Sequence, residues 1–152
     1  AWEAKKAEER AERDAALETS QMDGVARALP ALIRAEKLQK RAARVGFDWP
    51  DARGAFDKTR EELDEVQAEI DSGDKSRLQD ELGDLLFAMV NVVRLLGMDA
   101  EQALSLANEK FERRFRDMER TLKRDGEQMQ EMSLVELDAA WEAVKQRESG
   151  TS

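Results

Sequence analysis

The stretch that decides the fold is "TREELDEVQAEIDSGDKSRLQDELGDLLFAMVNVV", residues 59–93. It carries two acidic pairs, Glu62 with Glu65 and Glu81 with Asp84, on either side of a short polar break. In a helix, residues three apart share one face. A carboxylate next to an apolar core is costly unless something compensates its charge. The stretch therefore predicts both a pair of helices and a charged site between them.

The break "DSGDKS", residues 71–76, separates two helical patterns. The first pattern covers residues 51–70, and the second ends at "LLG", residues 95–97. The second pattern is apolar on nearly all sides, which predicts that its helix is central in a helical bundle. Because the connection is short, we expect the two helices to pack antiparallel, with the acidic pairs facing each other. The predicted inward residues are Phe56, Thr59, Leu63, Val66 and Ile70 in the first helix and Leu78, Leu82, Leu85, Leu86, Met89, Val93 and Leu96 in the second.

The rest of the chain also predicts helices and no strand. Residues 2–17 form a highly charged helix with almost no apolar stripe, so we expect it to project or to pack weakly. Ser133 and Glu136 form a capping-box pattern for a last helix that ends near Arg147. The other predicted segments are a linker over residues 18–29, a helix over 31–45 after Pro30, a "GFDWPD" break with Gly46 as the C-cap, and a long helix capped by Asp99 with Leu104, Ala107, Phe111, Phe115, Met118 and Leu122 inward.

The composition limits the partners and the metal ligands that are possible for this chain. The chain has 152 residues, 39% of them charged, and a net charge of −9, which argues against nucleic acid or an anionic membrane as the main partner. It has no run of about 18 apolar residues and no signal-like start, so we expect a soluble, cytoplasmic protein. It has no cysteine and no histidine, so any bound metal must be held by oxygen, as Mg²⁺, Mn²⁺ or Ca²⁺ are.

The four carboxylates allow two interpretations. Each acid can be a solvated helix residue with a neighbouring base, since Lys58 precedes Glu62 and Arg77 precedes Glu81 by four residues. Alternatively, four converging carboxylates repel one another, and a divalent cation relieves that repulsion. The second interpretation is favoured for the group as a whole, because Glu81 and Asp84 border the most apolar stretch of the chain.

A basic cluster lies in "NEKFERRFRD", residues 108–117. Lys110, Arg113 and Arg114 can form an anion clamp for phosphate, a task that suits guanidinium groups. The alternative is a solvated basic patch whose repulsion is offset by nearby acids. Trp141 and Lys145 lie one turn apart on the last helix, where a tryptophan is more often a core or lid residue than a ligand contact.

The motifs together resemble a known family. "EELDE" at residues 61–65 and "ELGD" at 81–84, with fifteen residues between them, match the EExxE–ExxD signature of the MazG family of nucleoside triphosphate pyrophosphohydrolases. Further blocks are similar to the C-terminal domain of two-domain bacterial MazG, so the resemblance covers about residues 29–147. We expect a MazG-like catalytic domain over residues 29–148. Residues 1–28 would be the tail of a missing N-terminal domain, in keeping with a chain that starts at Ala1.

The resemblance implies a fold, an activity and a site. The fold would be an all-α bundle, assembled as a homodimer, and the activity would be Mg²⁺-dependent hydrolysis of nucleoside triphosphates to the monophosphate and pyrophosphate, with Mn²⁺ as a possible substitute. The implied metal ligands are Glu62, Glu65, Glu81 and Asp84. The resemblance places nucleotide-binding segments at residues 58–62, 77–80 and 110–114 and at Trp141. The residues that we predict to bind the nucleotide are those of the segments with suitable side chains, together with Asp84 and Lys145: Lys58, Glu61, Glu62, Arg77, Asp84, Lys110, Arg113, Arg114, Trp141 and Lys145.

The residues also suggest a mechanism and two alternatives. Without histidine, the general base must be a carboxylate or metal-bound hydroxide, and Glu61 is the candidate because it adjoins the ligands. One alternative is a related enzyme for a single nucleotide, of the dUTPase-like or phosphoribosyl-ATP type. The other is a non-catalytic helical module for dimerisation or regulation, whose acids are a solvated face.

Overall fold

A computed structural model describes residues 1–150 of the chain. These residues form six α-helices and one short 3-10 helix and contain no strand, which confirms the predicted all-α class. No helix among them is long and apolar enough to cross a bilayer. The helices are α1 (Trp2–Glu18), α2 (Ala31–Ala43), α3 (Ala52–Ser72), α4 (Lys75–Leu95), α5 (Ala100–Arg124) and α6 (Leu134–Gly150), and the 3-10 helix is Met129–Glu131.

The contacts divide the chain into two units, one of residues 1–100 and one that begins at Glu101. In the first unit, α4 packs against α3 and α2. The break between α3 and α4 is only Gly73 and Asp74, shorter than the predicted residues 71–76. Gly73 ends α3 at a φ of 76°, and the Asp74 side chain caps α4 by accepting hydrogen bonds from the backbone N–H groups of Ser76 and Arg77. These two residues make the hairpin tight.

The buried face of α3 differs from the predicted one. Ala55, Glu62 and Val66 are buried, at spacings of seven and four residues that fit one helical face. The prediction was wrong for Phe56, Leu63 and Ile70, which are 42%, 54% and 60% exposed in this single chain. Because these three repeat every seven residues, they form a second, uncovered apolar stripe on α3.

The buried face of α4 also differs from the predicted one. Its buried residues are Ala88 and Val90, which the predicted stripe omitted. The helix is packed on only part of its surface, because its neighbours within the first unit are α3 and α2. The predicted inward residues Leu82, Leu86, Met89 and Leu96 are each more than 40% exposed.

The second unit has its own small core. Met118 and Leu122 of α5 pack with Val144 of α6, and Phe115 and Trp141 pack against them, as the helical spacing predicted for α5. The predicted capping box is confirmed, since Glu136 accepts a hydrogen bond from the backbone N–H of Ser133 at 3.2 Å and its own N–H donates to the Ser133 hydroxyl oxygen. The inward prediction was wrong for Leu104, Ala107 and Phe111, which are exposed.

Candidate metal centre

Three of the four predicted acidic residues form one compact group. Carboxylate oxygens of Glu62, Glu81 and Asp84 lie within 4.8 Å of one another. Glu62 comes from the buried face of α3, and the other two come from successive turns of α4. The tight hairpin at Gly73 brings these faces together. Glu65 lies outside this group of three, but its carboxyl is close enough to Glu81 to hydrogen-bond with it.

Glu62 is a buried carboxylate with a counter-ion. The residue is 5% exposed, and the Lys58 Nζ lies 3.0 Å from its Oε1. The hydrogen bond from Lys58 holds the pKa of Glu62 below its ordinary value, although burial acts in the opposite direction. Glu62 is therefore ionised at neutral pH, which is the form that binds a cation.

The pKa values of Glu81 and Asp84 are raised, in contrast to that of Glu62. The hydrogen bond with Glu65, followed by desolvation and the charge of Glu65, raises the pKa of Glu81 to about 7. Desolvation raises the pKa of Asp84, and the charges of Asp80 and Glu62 raise it further. Both raised pKa values reflect repulsion between nearby carboxylates, and a bound cation would reduce that repulsion.

Two carboxylate oxygens in the group have no partner of their own. Glu62 Oε2 and Glu81 Oε2 are buried and accept no hydrogen bond from the described residues. A buried, unpaired carboxylate oxygen is costly. All the donor atoms of the group are carboxylate oxygens, the ligand type of hard divalent cations. The group therefore fits a bound metal ion.

The remaining predicted residues of this hairpin lie at the edge of the group. Glu61 has a side chain that is 60% exposed, and its Oε2 lies 3.8 Å from Lys58 Nζ, so it is outside the compact group of three. Arg77 does not form the ion pair with Glu81 that the solvated-helix interpretation predicted. Arg77 Nε instead lies 3.9 Å from Asp74 Oδ2, one turn before it.

The predicted anion clamp on α5 is engaged within its own unit. Arg114 Nε donates to Glu148 Oε2 at 2.8 Å, and Arg113 Nε lies 3.5 Å from the other oxygen of the same carboxylate. Lys110 is exposed. Glu148 is not among the residues predicted from the sequence. Its acidic side chain on the last helix was a signal, but its pairing across 34 residues was not visible from spacing.

Trp141 and Lys145 lie on α6. Trp141 is half-buried against the core of the second unit, and its ring centroid is 5.3 Å from that of Phe111. This agrees with the expectation of a core or lid residue. Lys145 Nζ lies 3.3 Å from Glu142 Oε1. The roles of these two residues toward a ligand stay predictions.

Comparison with known proteins agrees with this geometry. The family pattern described as the MazG nucleotide pyrophosphohydrolase domain matches residues 55–118, which include the whole carboxylate group. The chain is 48% identical over 149 residues to the nucleoside triphosphate pyrophosphohydrolase of Escherichia coli K12, covering 97% of this chain and 56% of that protein. It is 38% identical over 144 residues to the nucleoside triphosphate pyrophosphohydrolase/pyrophosphatase MazG of Thermotoga maritima, covering 95% of this chain and 54% of that protein.

A third relative is much longer than this chain. The protein YabN of Bacillus subtilis is 42% identical over 132 residues, which is 86% of this chain and 27% of YabN. The chain thus spans about half the length of the first two relatives, and less of the third. The matches confirm the resemblance found from the motifs: the chain carries a MazG nucleotide pyrophosphohydrolase domain, whose pattern matches residues 55–118.

Proposed function

We propose that the chain hydrolyses nucleoside triphosphates to the nucleoside monophosphate and pyrophosphate, with Mg²⁺ bound at Glu62, Glu81 and Asp84. The observation that carries the proposal is the group of three carboxylates within 4.8 Å, two of whose oxygens are buried without a partner. The printed names of the E. coli and T. maritima relatives, which describe nucleoside triphosphate pyrophosphohydrolases, support the substrate class.

The carboxylates have distinct tasks in this proposal. Glu62 stays ionised because Lys58 compensates its charge, so it provides a fixed ligand. Glu81 and Asp84 complete the set, and Glu65 serves as a further ligand or as the hydrogen-bond partner that orients Glu81. When bound, Mg²⁺ supplies positive charge for phosphate oxygens and lowers the pKa of a coordinated water.

Other side chains act on the substrate and the attacking water. One water molecule is consumed as the phosphoanhydride bond between the α- and β-phosphorus breaks, and its oxygen stays on one of the two products. Glu61 is the proposed proton acceptor, because its exposed carboxylate adjoins the ligands. The phosphate oxygens carry negative charge that guanidinium and ammonium groups bind well. The proposed phosphate contacts are Lys58, Arg77, Lys110, Arg113, Arg114 and Lys145. Trp141 is proposed as a further contact with the substrate.

The test is a pyrophosphate-release assay with all common NTPs and dNTPs, with Mg²⁺, with Mn²⁺ and with a chelator. We expect metal-dependent release, and a loss of several orders of magnitude in Asp84→Asn. The matched control is Asp64→Asn, an exposed acid of α3 that lies outside the carboxylate group. Release from a single nucleotide would favour the single-nucleotide alternative. No release under any condition would favour the non-catalytic module.

We also propose that the chain forms a homodimer and acts in the cytoplasm. The support for the dimer is the uncovered apolar surface on the α3–α4 hairpin, where Leu63, Ile70 and Leu86 are each more than half exposed. Surfaces of this kind mark association sites, and an isologous pair is the commonest way to cover them. The absence of a strong positive charge supports a protein that does not bind nucleic acid.

A further inference from the structure

Gly83 lies in the interior of α4, between the proposed metal ligands Glu81 and Asp84. A glycine at such a position weakens the helix relative to alanine, because it loses more backbone freedom on folding. Glycine is favoured in spite of this cost where the backbone has a positive φ or where another group approaches it closely. The surroundings of each glycine therefore show whether the fold itself requires it.

Six of the eight glycines are explained by the fold. Gly54 lies inside α3, where the Trp49 ring packs so closely that an added Cβ would collide with it. Five others have a φ between 76° and 85°, which an L side chain rarely adopts, and they are Gly24, Gly46, Gly73, Gly97 and Gly126. Gly150 is the last residue of α6, where a helix frays and glycine costs little. Gly83 is left without an explanation of this kind.

The space beside Gly83 is open. Apart from its chain neighbours and the backbone of its own helix, no atom of the described residues lies within 4 Å of an added Cβ. The residue is exposed and its φ is not positive, so an alanine would fit α4 here and would stabilise the helix. The packing of this chain therefore gives no reason for glycine, which points to a group that approaches α4 from outside the chain.

The charges around the open space suit a phosphate chain held by a metal ion. Asp84 follows Gly83 directly and Asp80 precedes it by three residues, so both carboxylates flank the same side of the glycine. An apolar cover, such as a helix of a second copy, would bury these acids at a cost. A metal ion with its phosphates instead compensates their charge. A bound triphosphate is therefore the better occupant of this space.

We infer that Gly83 provides clearance for the substrate: the phosphate–sugar part of the nucleotide lies against the bare backbone of α4 at this residue. The inference rests on the proposed hydrolysis of nucleoside triphosphates. The backbone N–H and C=O groups of Gly83 belong to the hydrogen-bonded interior of α4, so the contact is van der Waals packing and not a hydrogen bond. A larger side chain in place of Gly83 would occupy the space that the substrate needs, without any change in the metal ligands.

The first experiment measures stability and steady-state kinetics in Gly83→Ala and Gly83→Leu. Alanine and leucine are better helix formers than glycine, so the melting temperature rises by about 2–4 °C. The KM for the nucleotide rises several-fold in Gly83→Ala and about tenfold or more in Gly83→Leu, because the overlap grows with the side chain. The value of kcat changes much less. The control is Gly150→Ala, at a helical glycine with open surroundings outside the carboxylate group, which leaves KM unchanged.

The second experiment needs no hydrolysis. Calorimetric titration with Mg²⁺ present uses a nucleoside triphosphate analogue that has a methylene group in place of the oxygen between the α- and β-phosphorus. The Kd of this analogue rises about tenfold or more in Gly83→Leu. The shift of the melting temperature by Mg²⁺ alone stays as in the unsubstituted chain, because the ligand side chains are unchanged. Loss of that shift in Gly83→Ala would mean that the glycine shapes the carboxylate group itself, and the clearance role would be wrong.

The outcomes separate this inference from the proposed function and from the proposed dimer. If the protein releases pyrophosphate and both Gly83 variants keep the normal KM and analogue affinity, the clearance role is wrong and the proposed function stands. If analogue binding weakens in the variants but no nucleotide is hydrolysed, the clearance role holds and the proposed function is wrong. If light scattering shows that Gly83→Leu changes the mass of the assembly while analogue binding stays normal, a second copy occupies the space and the inference is wrong.

Discussion

The carboxyl group of Glu65 lies beside that of Glu81 across the α3–α4 hairpin, and this neighbour raises the pKa of Glu81 to about 7. The neighbouring Glu62 has a lowered pKa, because Lys58 donates to it. One group therefore holds an acid that is always ionised at neutral pH and another that titrates there. Opposite shifts in adjacent acids are typical of sites where charge is used for binding or proton transfer.

The first prediction concerns pH and stability without metal. The pKa of Glu81 rises from 4.5 in the unfolded chain to about 7 in the fold, so the folded state binds more protons between these values. The free energy of unfolding therefore falls as pH rises from about 4.5 to 7, and the raised pKa of Asp84 acts in the same direction. Thermal melts in a chelator between pH 5 and pH 8 measure this slope.

A variant isolates the group responsible for the slope. Glu81→Gln removes the titrating carboxyl and flattens the dependence on pH over this window. The lowered pKa of Glu62 has its effect only below 4.5, so it does not interfere. A slope that stays the same in Glu81→Gln would show that Glu81 does not titrate near neutral pH.

The second prediction concerns metal and stability. At pH 7.5 the carboxylates of the group are largely ionised and repel one another, so a bound divalent cation stabilises the fold by mass action. At ten times its dissociation constant, Mg²⁺ adds about 1.4 kcal/mol to the free energy of unfolding and raises the melting temperature by about 3–6 °C. Calorimetry at millimolar Mg²⁺ tests this. If neither Mg²⁺ nor Mn²⁺ shifts the transition, with or without nucleotide, the metal site as described is wrong.

The acidic site was predictable because its geometry is local. Glu62, Glu81 and Asp84 lie on two helices joined by two residues, so helical spacing and a tight turn nearly determine their approach. Their neighbours within one turn, Lys58 and Asp80, are equally local. The all-α class followed in the same way from composition and from the caps.

The faces that the helices bury were not predictable from apolar spacing. The inner face of α3 contains the acid Glu62 and the small Ala55, while the large Leu63 and Ile70 are exposed. The spacing of apolar residues identifies the side chains for which burial is favourable, but it does not show which neighbouring element buries them. Pairs far apart in sequence were missed for the same reason, such as Asp48 with Arg94, 46 residues away.

The third prediction concerns the ligands. Glu81→Gln and Asp84→Asn keep the shape of the side chain and remove its charge, so turnover falls by orders of magnitude. The fold persists, and without metal the melting temperature at pH 7.5 does not fall, because one of several mutually repelling charges is gone. Pyrophosphate release and thermal melts provide both readouts, with Asp64→Asn as the control. Near-normal turnover at saturating Mg²⁺ would exclude that residue as a ligand.

The fourth prediction concerns Glu148. Its carboxylate occupies Arg114 and Arg113, two of the proposed phosphate contacts, so it competes with the substrate for them. Glu148→Gln weakens this competition and lowers KM several-fold, while Arg114→Gln raises it. The melting temperature of Glu148→Gln falls only slightly, because partly exposed ion pairs contribute about 0–1 kcal/mol. An increase of KM in Glu148→Gln would mean that Glu148 positions the arginines for the substrate instead of competing with it.

The fifth prediction concerns assembly and the first helix. None of the residues of α1 is buried, so deletion of residues 1–18 leaves the fold and the proposed dimer intact. The deletion stops before Gln21 and Asp23, because the Arg41 guanidinium donates to both of their backbone oxygens. Light scattering measures the mass of each form. A mass near 17.3 kDa for the whole chain would refute the dimer. A dimer that dissociates only after the deletion would place the interface on α1 instead of on the exposed stripe of Phe56, Leu63 and Ile70.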